Sequence, residues 1–230
     1  MNQLILPYQK NVRQTFENFY SDKTENIQIL DCLKKIFNNT NNQIFIWGNN
    51  SSGKSHLQYS ACNYFDNAKK KCIYFPMKEY KKFDNDILKE AHKYDLICID
   101  DIDQIFGINE WEKSFFMLIN NLIDSSSKII YTSSSNLKNT NIKLEDLHSR
   151  LSWGLLFKIN DENDLIKEKI LKKIIFEKEY NISINICNYL LSRKERDLNS
   201  LINAIHKLGL YSFSTNKKVN LKNVNSILNL

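Results

Sequence analysis

Arginine, glycine and proline are all scarce in this chain. Only four of its 32 basic residues are arginine (Arg13, Arg150, Arg193, Arg196), the two prolines are Pro7 and Pro76, and the five glycines are Gly48, Gly53, Gly107, Gly154 and Gly209. Lys, Asn and Ile dominate instead, as an AT-rich codon bias would produce. Under such drift an exposed Arg exchanges freely for Lys unless a planar, bidentate donor is needed, so the four arginines are candidates for function. The five cysteines (Cys32, Cys62, Cys72, Cys98, Cys187) are odd in number and lack C-x-x-C spacing, which argues against a disulfide scaffold and a zinc ribbon. Cys62, Cys72 and Cys98 lie in apolar stretches and read as small core hydrophobes in a reducing cytoplasm. No apolar run reaches membrane-spanning length, and the opening MNQLILPYQK lacks a signal-peptide pattern, so a cytoplasmic protein without membrane contact is expected.

What is present describes a globular protein: 230 residues, 42% hydrophobic, 12% aromatic and 25% charged. That is enough chain for one large domain, or one domain with a small appendage, and excludes a mainly disordered protein. The net charge of +6 is spread without a block. It permits nucleic-acid contact without demanding it.

Short apolar runs at Gln43–Trp47, Cys72–Phe75, Leu96–Ile99, Lys128–Thr132 and Leu155–Ile159 predict strands. Stretches of helical periodicity separate the first four, and another, Thr24–Phe37, precedes them, so the sheet should be largely parallel. After Ile159 the pattern is helical: Asp161–Tyr180, Ile182–Leu191, Glu195–Leu208 and Leu221–Leu228. The expected organisation is a tail over 1–11, an α/β nucleotide-binding domain over 12–160 and a small all-α domain over 161–230.

Gly48-Asn49-Asn50-Ser51-Ser52-Gly53-Lys54-Ser55 is a complete G-x-x-x-x-G-K-S phosphate loop between a predicted strand and a helix that opens at His56. Its backbone N–H groups and the helix start are expected to cradle phosphates, Lys54 to span the β/γ oxygens and Ser55 to ligate Mg2+. The run Leu96-Ile97-Cys98-Ile99-Asp100-Asp101 ends in two acids. Asp100 is expected in the Mg2+ shell and Asp101 in position to orient an attacking water. At the tip of the next strand, Ser133 or Ser134 is a candidate for contact with the γ-phosphate or the water.

The stretches WGNNSSGKSHLQYSAC, LICIDDIDQIFG with NEWE, and Leu147-His148-Ser149-Arg150-Leu151-Ser152-Trp153-Gly154 together resemble the AAA+ domain of the bacterial initiator DnaA. They are still more similar to its shortened relatives, the Hda regulatory inactivators of DnaA. The resemblance covers nearly the whole chain and implies an AAA+ fold with a helical lid. It implies ADP or ATP as cofactor, Arg150 as an arginine finger acting on a neighbouring subunit's nucleotide, and Arg196 as the lid arginine facing the subunit's own phosphates. It also puts Arg13, beside Phe16 and Phe19, near an adenine pocket, and leaves Arg193 without a role. Ser134 stands where DnaA-like chains carry Asp, which implies weak self-hydrolysis.

Gln3-Leu4-Ile5-Leu6-Pro7 resembles the Q-L-x-L-P peptide with which the Hda group docks on the DNA-polymerase sliding clamp, its β subunit. In such a segment the Gln amide fixes register and aliphatic side chains fill an apolar pocket. The chain reaches Leu230 without a stretch for DnaA's origin-reading domain. The resemblance therefore implies a negative regulator of replication initiation. Its partners would be the clamp and DnaA, with DNA reached through the clamp, and the protein would be a monomer or homo-oligomer depending on nucleotide. The alternatives are a self-hydrolysing AAA+ loader or remodeller and a minimal DnaA-like initiator.

Overall fold

The computed structural model describes residues 14–36, 42–123, 125–192 and 197–228. Two compact units divide them. The first holds Lys23–Asn160 with the described residues before Tyr20, and the second holds Tyr20–Asp22 with the residues from Asp161 onward.

In the first unit, strands β1 (Gln43–Trp47), β2 (Cys72–Pro76), β3 (Leu96–Asp100), β4 (Lys128–Ser133) and β5 (Leu155–Lys158) form one sheet in the order β2-β3-β4-β1-β5. Every pairing is parallel. Helices α1 (Thr24–Lys34), α2 (Lys54–Asn67), α3 (Asn109–Leu122) and α4 (Glu145–Leu151) complete the unit. Because alternate residues of a strand face opposite ways, the buried strands feed two separate cores. Ile44, Ile46, Cys98 and Ile130 pack with Leu57, Ala61 and Phe65 of α2 and Ile29 and Leu33 of α1. Phe45, Ile97, Ile99, Ile129 and Tyr131 pack with Trp111, Phe115 and Ile119 of α3 and Leu147 and Leu151 of α4. Burial on both faces is why the strands read as continuous apolar runs.

Between β2 and β3 the chain forms 3-10 helices at Met77–Lys82 and Asn85–Lys93, where helical periodicity predicted an α-helix. Pro76 precedes the first, and the Asp84 side chain accepts the Asp86 N–H at 3.1 Å, a local turn that competes with a continuous helix.

The second unit consists of α5 (Asp164–Glu177), α6 (Asn185–Leu191), α7 (Leu198–Thr215) and α8 (Val224–Leu228). Asn163 and Asp197 cap α5 and α7 by accepting the N–H groups of Ile166 at 2.9 Å and Ser200 at 3.0 Å. Leu171, Ile186, Leu190, Leu201, Ile205 and Leu208 form its core. One parallel bridge, Ile182 to Val219, occurs where the sequence pattern needed no strand. A Cβ on Gly209 would lie 2.5 Å from the Tyr180 ring, so this glycine lets the ring lie against α7. Among the described residues no helix is long and apolar enough to cross a membrane.

Candidate nucleotide site

The loop from Gly48 to Ser55 joins the end of β1 to the start of α2. Its first glycine is required by packing alone, because a Cβ on Gly48 would lie 2.5 Å from the Ile159 carbonyl oxygen. Gly53 has φ of 101°, a conformation L side chains avoid, and a Cβ there would lie 2.7 Å from the Phe19 ring. Ser51 also sits at positive φ, 63°. The chain thus turns through two left-handed residues and enters a helix of 14 residues, whose first N–H groups have no intrahelical acceptor. Asn49 and Asn50 are exposed and Ser52 is buried.

Lys54 is 5% exposed, and its ammonium donates to the carbonyls of Gly48 and Asn49, both at 2.7 Å. Burial lowers its pKa, opposed by the charges of Asp101, Asp100 and Asp103. Among the described residues no carboxylate is in ion-pair contact with it, which leaves a buried cation answered only through space. Among the described residues the buried Ser52 Oγ has no hydrogen-bond partner. A buried ammonium, an orphaned hydroxyl and a helix N-terminus together fit an anion.

Asp100, at the end of β3, is also buried. Oδ2 accepts from Ser55 Oγ at 2.7 Å and from Tyr74 OH at 2.6 Å, and Oδ1 accepts from Thr132 Oγ1. Thr132 Oγ1 in turn accepts the Asp101 N–H at 3.0 Å. That bond holds Asp101 at φ 54°, a left-handed conformation that Asp tolerates better than most residues. The Asp101 carboxylate meets Lys78 at 2.8 Å. Burial, then the charge of Asp100, raise the Asp101 pKa, while Lys78 and Lys54 pull it down. Burial, then Asp100, push the Tyr74 hydroxyl far up, so it stays protonated and donates.

The structure therefore brings Lys54, Ser55, Asp100 and Asp101 together. Ser133 and Ser134 are placed differently. Ser133 Oγ bonds within its own turn, donating to the Ser135 carbonyl at 2.8 Å. Ser134 gives both its N–H, at 3.1 Å, and its Oγ, at 2.6 Å, to the Asp103 carboxylate. His56 Nε2 lies 3.0 Å from the Thr15 carbonyl, and its ring meets Phe19 edge to face at 5.6 Å. Burial lowers the His56 pKa, so the ring is neutral and donates to that carbonyl. Tyr74, Lys78 and Asp103 carry no motif signal in the sequence, and Thr132 carries only that of a polar residue ending an apolar run.

Arg150 lies on α4, and its guanidinium sits 4.0 Å over the ring of Trp153, which is 59% exposed. Gly154 follows because a Cβ there would lie 2.5 Å from the Gln43 carbonyl oxygen of β1. The start of α4 is fixed by Glu112, a fully buried residue of α3. Its carboxylate accepts the N–H groups of Gly107 at 2.6 Å, Lys143 at 3.1 Å and Leu144 at 2.9 Å. Gln3, Leu4, Ile5, Leu6, Pro7, Arg13, Arg193 and Arg196 lie outside the described residues.

The profile of the bacterial DnaA ATPase domain matches residues 10–158. The chain belongs to the DnaA family. Its fold is the AAA+ fold of DnaA, a five-stranded parallel sheet flanked by helices and followed by a helical region. An uncharacterized protein of Haemophilus influenzae is 31% identical over 230 residues, covering 99% of both chains. Domain III of the Thermotoga maritima initiator DnaA superposes with a TM-score of 0.81 at 24% identity, over 94% of this chain and 95% of that one. AMPPCP-bound DnaA from Aquifex aeolicus superposes with a TM-score of 0.71 at 24% identity, over 89% of this chain and 67% of that one. This chain is therefore a DnaA-like AAA+ domain related to replication initiation.

Proposed function

We propose that this protein is a negative regulator of replication initiation. In this reading it holds an adenine nucleotide, ADP in the active form, docks through Gln3–Pro7 on the DNA-loaded sliding clamp, and presents Arg150 to ATP held by DnaA. The observation that carries the reading is Arg150 itself. It is one of four arginines, it sits in the S-R-L-S-W-G stretch, and its guanidinium lies 4.0 Å from the centroid of the exposed Trp153 ring. A guanidinium delivered in trans to a transferring phosphoryl group accelerates hydrolysis about 10³–10⁵-fold by stabilising transition-state charge.

The chain's own site supports nucleotide binding. Lys54, buried without an ion-pair partner among the described residues, would meet β/γ-phosphate oxygens, and the loop N–H groups would hold phosphates. Ser55 Oγ and Asp100 Oδ2, 2.7 Å apart, are hard oxygen donors of the kind Mg2+ takes. Bound there, Mg2+ would neutralise phosphate charge. Thr132 and Tyr74 hold the Asp100 carboxylate in place for that task. The AMPPCP bound to the Aquifex DnaA agrees with an adenine nucleotide.

Self-hydrolysis is the second reading, favoured by the complete loop and by Asp101, whose carboxylate would orient water. Ser134 favours the first, since its hydroxyl is engaged by Asp103. Turnover by the purified protein alone, compared with its stimulation of DnaA, separates the two. Robust hydrolysis lost in Asp101→Asn supports self-hydrolysis; stimulation of DnaA with weak turnover alone supports the regulator.

A further inference from the structure

Cys62, Cys72 and Cys98 are far apart in sequence, and their pattern matches no metal motif. The fold converges them. Cys62 lies on α2, Cys98 in the middle of β3 and Cys72 at the start of β2, and their three sulfurs all lie within 4.8 Å of one another. Cys62 Sγ is 3.5 Å from Cys98 Sγ. Three first-row thiolate bonds of about 2.3 Å would set sulfurs roughly 4 Å apart, so the cluster needs little rearrangement to close on one ion.

The surroundings narrow the ligand. Cys62 and Cys98 are fully buried in the apolar core with Ala61, Phe65 and Leu96, which excludes hard, oxygen-seeking cations. Cys72 is half-buried on β2, the edge strand, and is the most exposed of the three. Among the described residues no fourth Cys, His or carboxylate joins the three sulfurs. Structural zinc takes four protein ligands. A soft monovalent ion is satisfied by three thiolates alone.

We infer that Cys62, Cys72 and Cys98 form a three-thiolate site for Cu(I), entered from the β2 edge. Geometry carries the inference. Cys62 Sγ donates to Cys98 Sγ at 3.5 Å, and Cys98 Sγ donates to the Gln58 carbonyl at 3.8 Å. Binding releases the thiol protons to solvent, leaving three thiolates on one Cu(I). The ion would tie α2, which begins at Lys54, to β3, which ends at Asp100, and so would brace the two elements that carry the nucleotide residues.

The test uses the whole reduced protein titrated anaerobically with Cu(I) against a chromophoric Cu(I) chelator. One equivalent should bind, X-ray absorption should count three sulfur neighbours, and the melting temperature should rise. Cys72→Ser, at a half-buried position, should lose affinity by at least about a hundredfold, and Cys72→Ala serves if the serine variant does not fold. Cys32→Ser and Cys187→Ser should bind as the wild type does. A copper equivalent that survives loss of Cys72, that follows Cys32 or Cys187, or that shows only two sulfurs would overturn the site. The X-ray absorption count on the wild type decides independently of any variant.

Discussion

Ser55 Oγ donates to Asp100 Oδ2 at 2.7 Å, joining the phosphate loop directly to the end of β3. β4 lies between β1 and β3 in the sheet, and its Thr132 completes the link by bonding both Asp100 and the Asp101 N–H. Thr132→Val keeps the shape and removes that bridge, leaving two buried polar groups unpaired. We expect a loss of about 2 kcal/mol in urea unfolding and weaker Mg2+-dependent nucleotide binding.

Lys54 shows the cost of readiness for an anion. Its ammonium is buried and lacks an ion-pair partner among the described residues, so it opposes folding of the nucleotide-free protein. Lys54→Met should abolish nucleotide binding in calorimetry while raising nucleotide-free stability by about 1 kcal/mol in urea melts.

His56 gives a pH dependence of known sign. Burial depresses its folded-state pKa below the ordinary 6.5, so folding favours the neutral ring. The unfolded state then binds more protons below about pH 6.5, and the stability the neutral ring contributes is lost as pH falls through the folded value. His56→Gln keeps a donor for Thr15 without titrating. Between about pH 7.5 and pH 5.5 the wild type should lose stability that this variant keeps.

Glu112 positions α4 from beneath. Its buried carboxylate accepts N–H groups from Gly107, Lys143 and Leu144, which flank the turn into the helix carrying Arg150. Glu112→Ala leaves those donors unpaired and should cost about 3 kcal/mol in urea unfolding. Where the variant stays folded, its stimulation of DnaA should fall more than its clamp binding. Glu112→Gln, which keeps one acceptor oxygen, should restore part of both losses.

The fold was legible where burial writes itself into sequence. Gln43–Trp47 reads as a strand to the residue because both of its faces are covered, and Gly48 to Ser55 is contiguous and restricted by Gly53 at positive φ. The supports of the site were not legible, because Tyr74, Thr132 and Asp100 meet only once three strands pair in register. Ser134 reads as a phosphate contact, and its pairing with Asp103, two residues past Asp101, is not legible in the sequence. Helix ends and the 3-10 turns after Pro76 depend on local hydrogen bonds such as Asp84 to Asp86, which periodicity does not register. The cysteine cluster is likewise a product of packing α2 against β2 and β3.

Arg150 decides the central claim. Its guanidinium lies over Trp153 at 4.0 Å, a cation–π contact worth about 0.5–1 kcal/mol at an exposed site, which favours the position over the ring severalfold. Trp153→Ala should therefore weaken stimulation severalfold and Trp153→Phe should retain most of it. The direct measurement is hydrolysis of DnaA-bound ATP in the presence of sliding clamp, DNA and this protein, wild type or Arg150→Ala. The account predicts clamp-dependent stimulation by the wild type and its loss, by at least about a hundredfold, in Arg150→Ala with clamp binding unchanged. Stimulation that persists in Arg150→Ala, or none by the wild type, would contradict it.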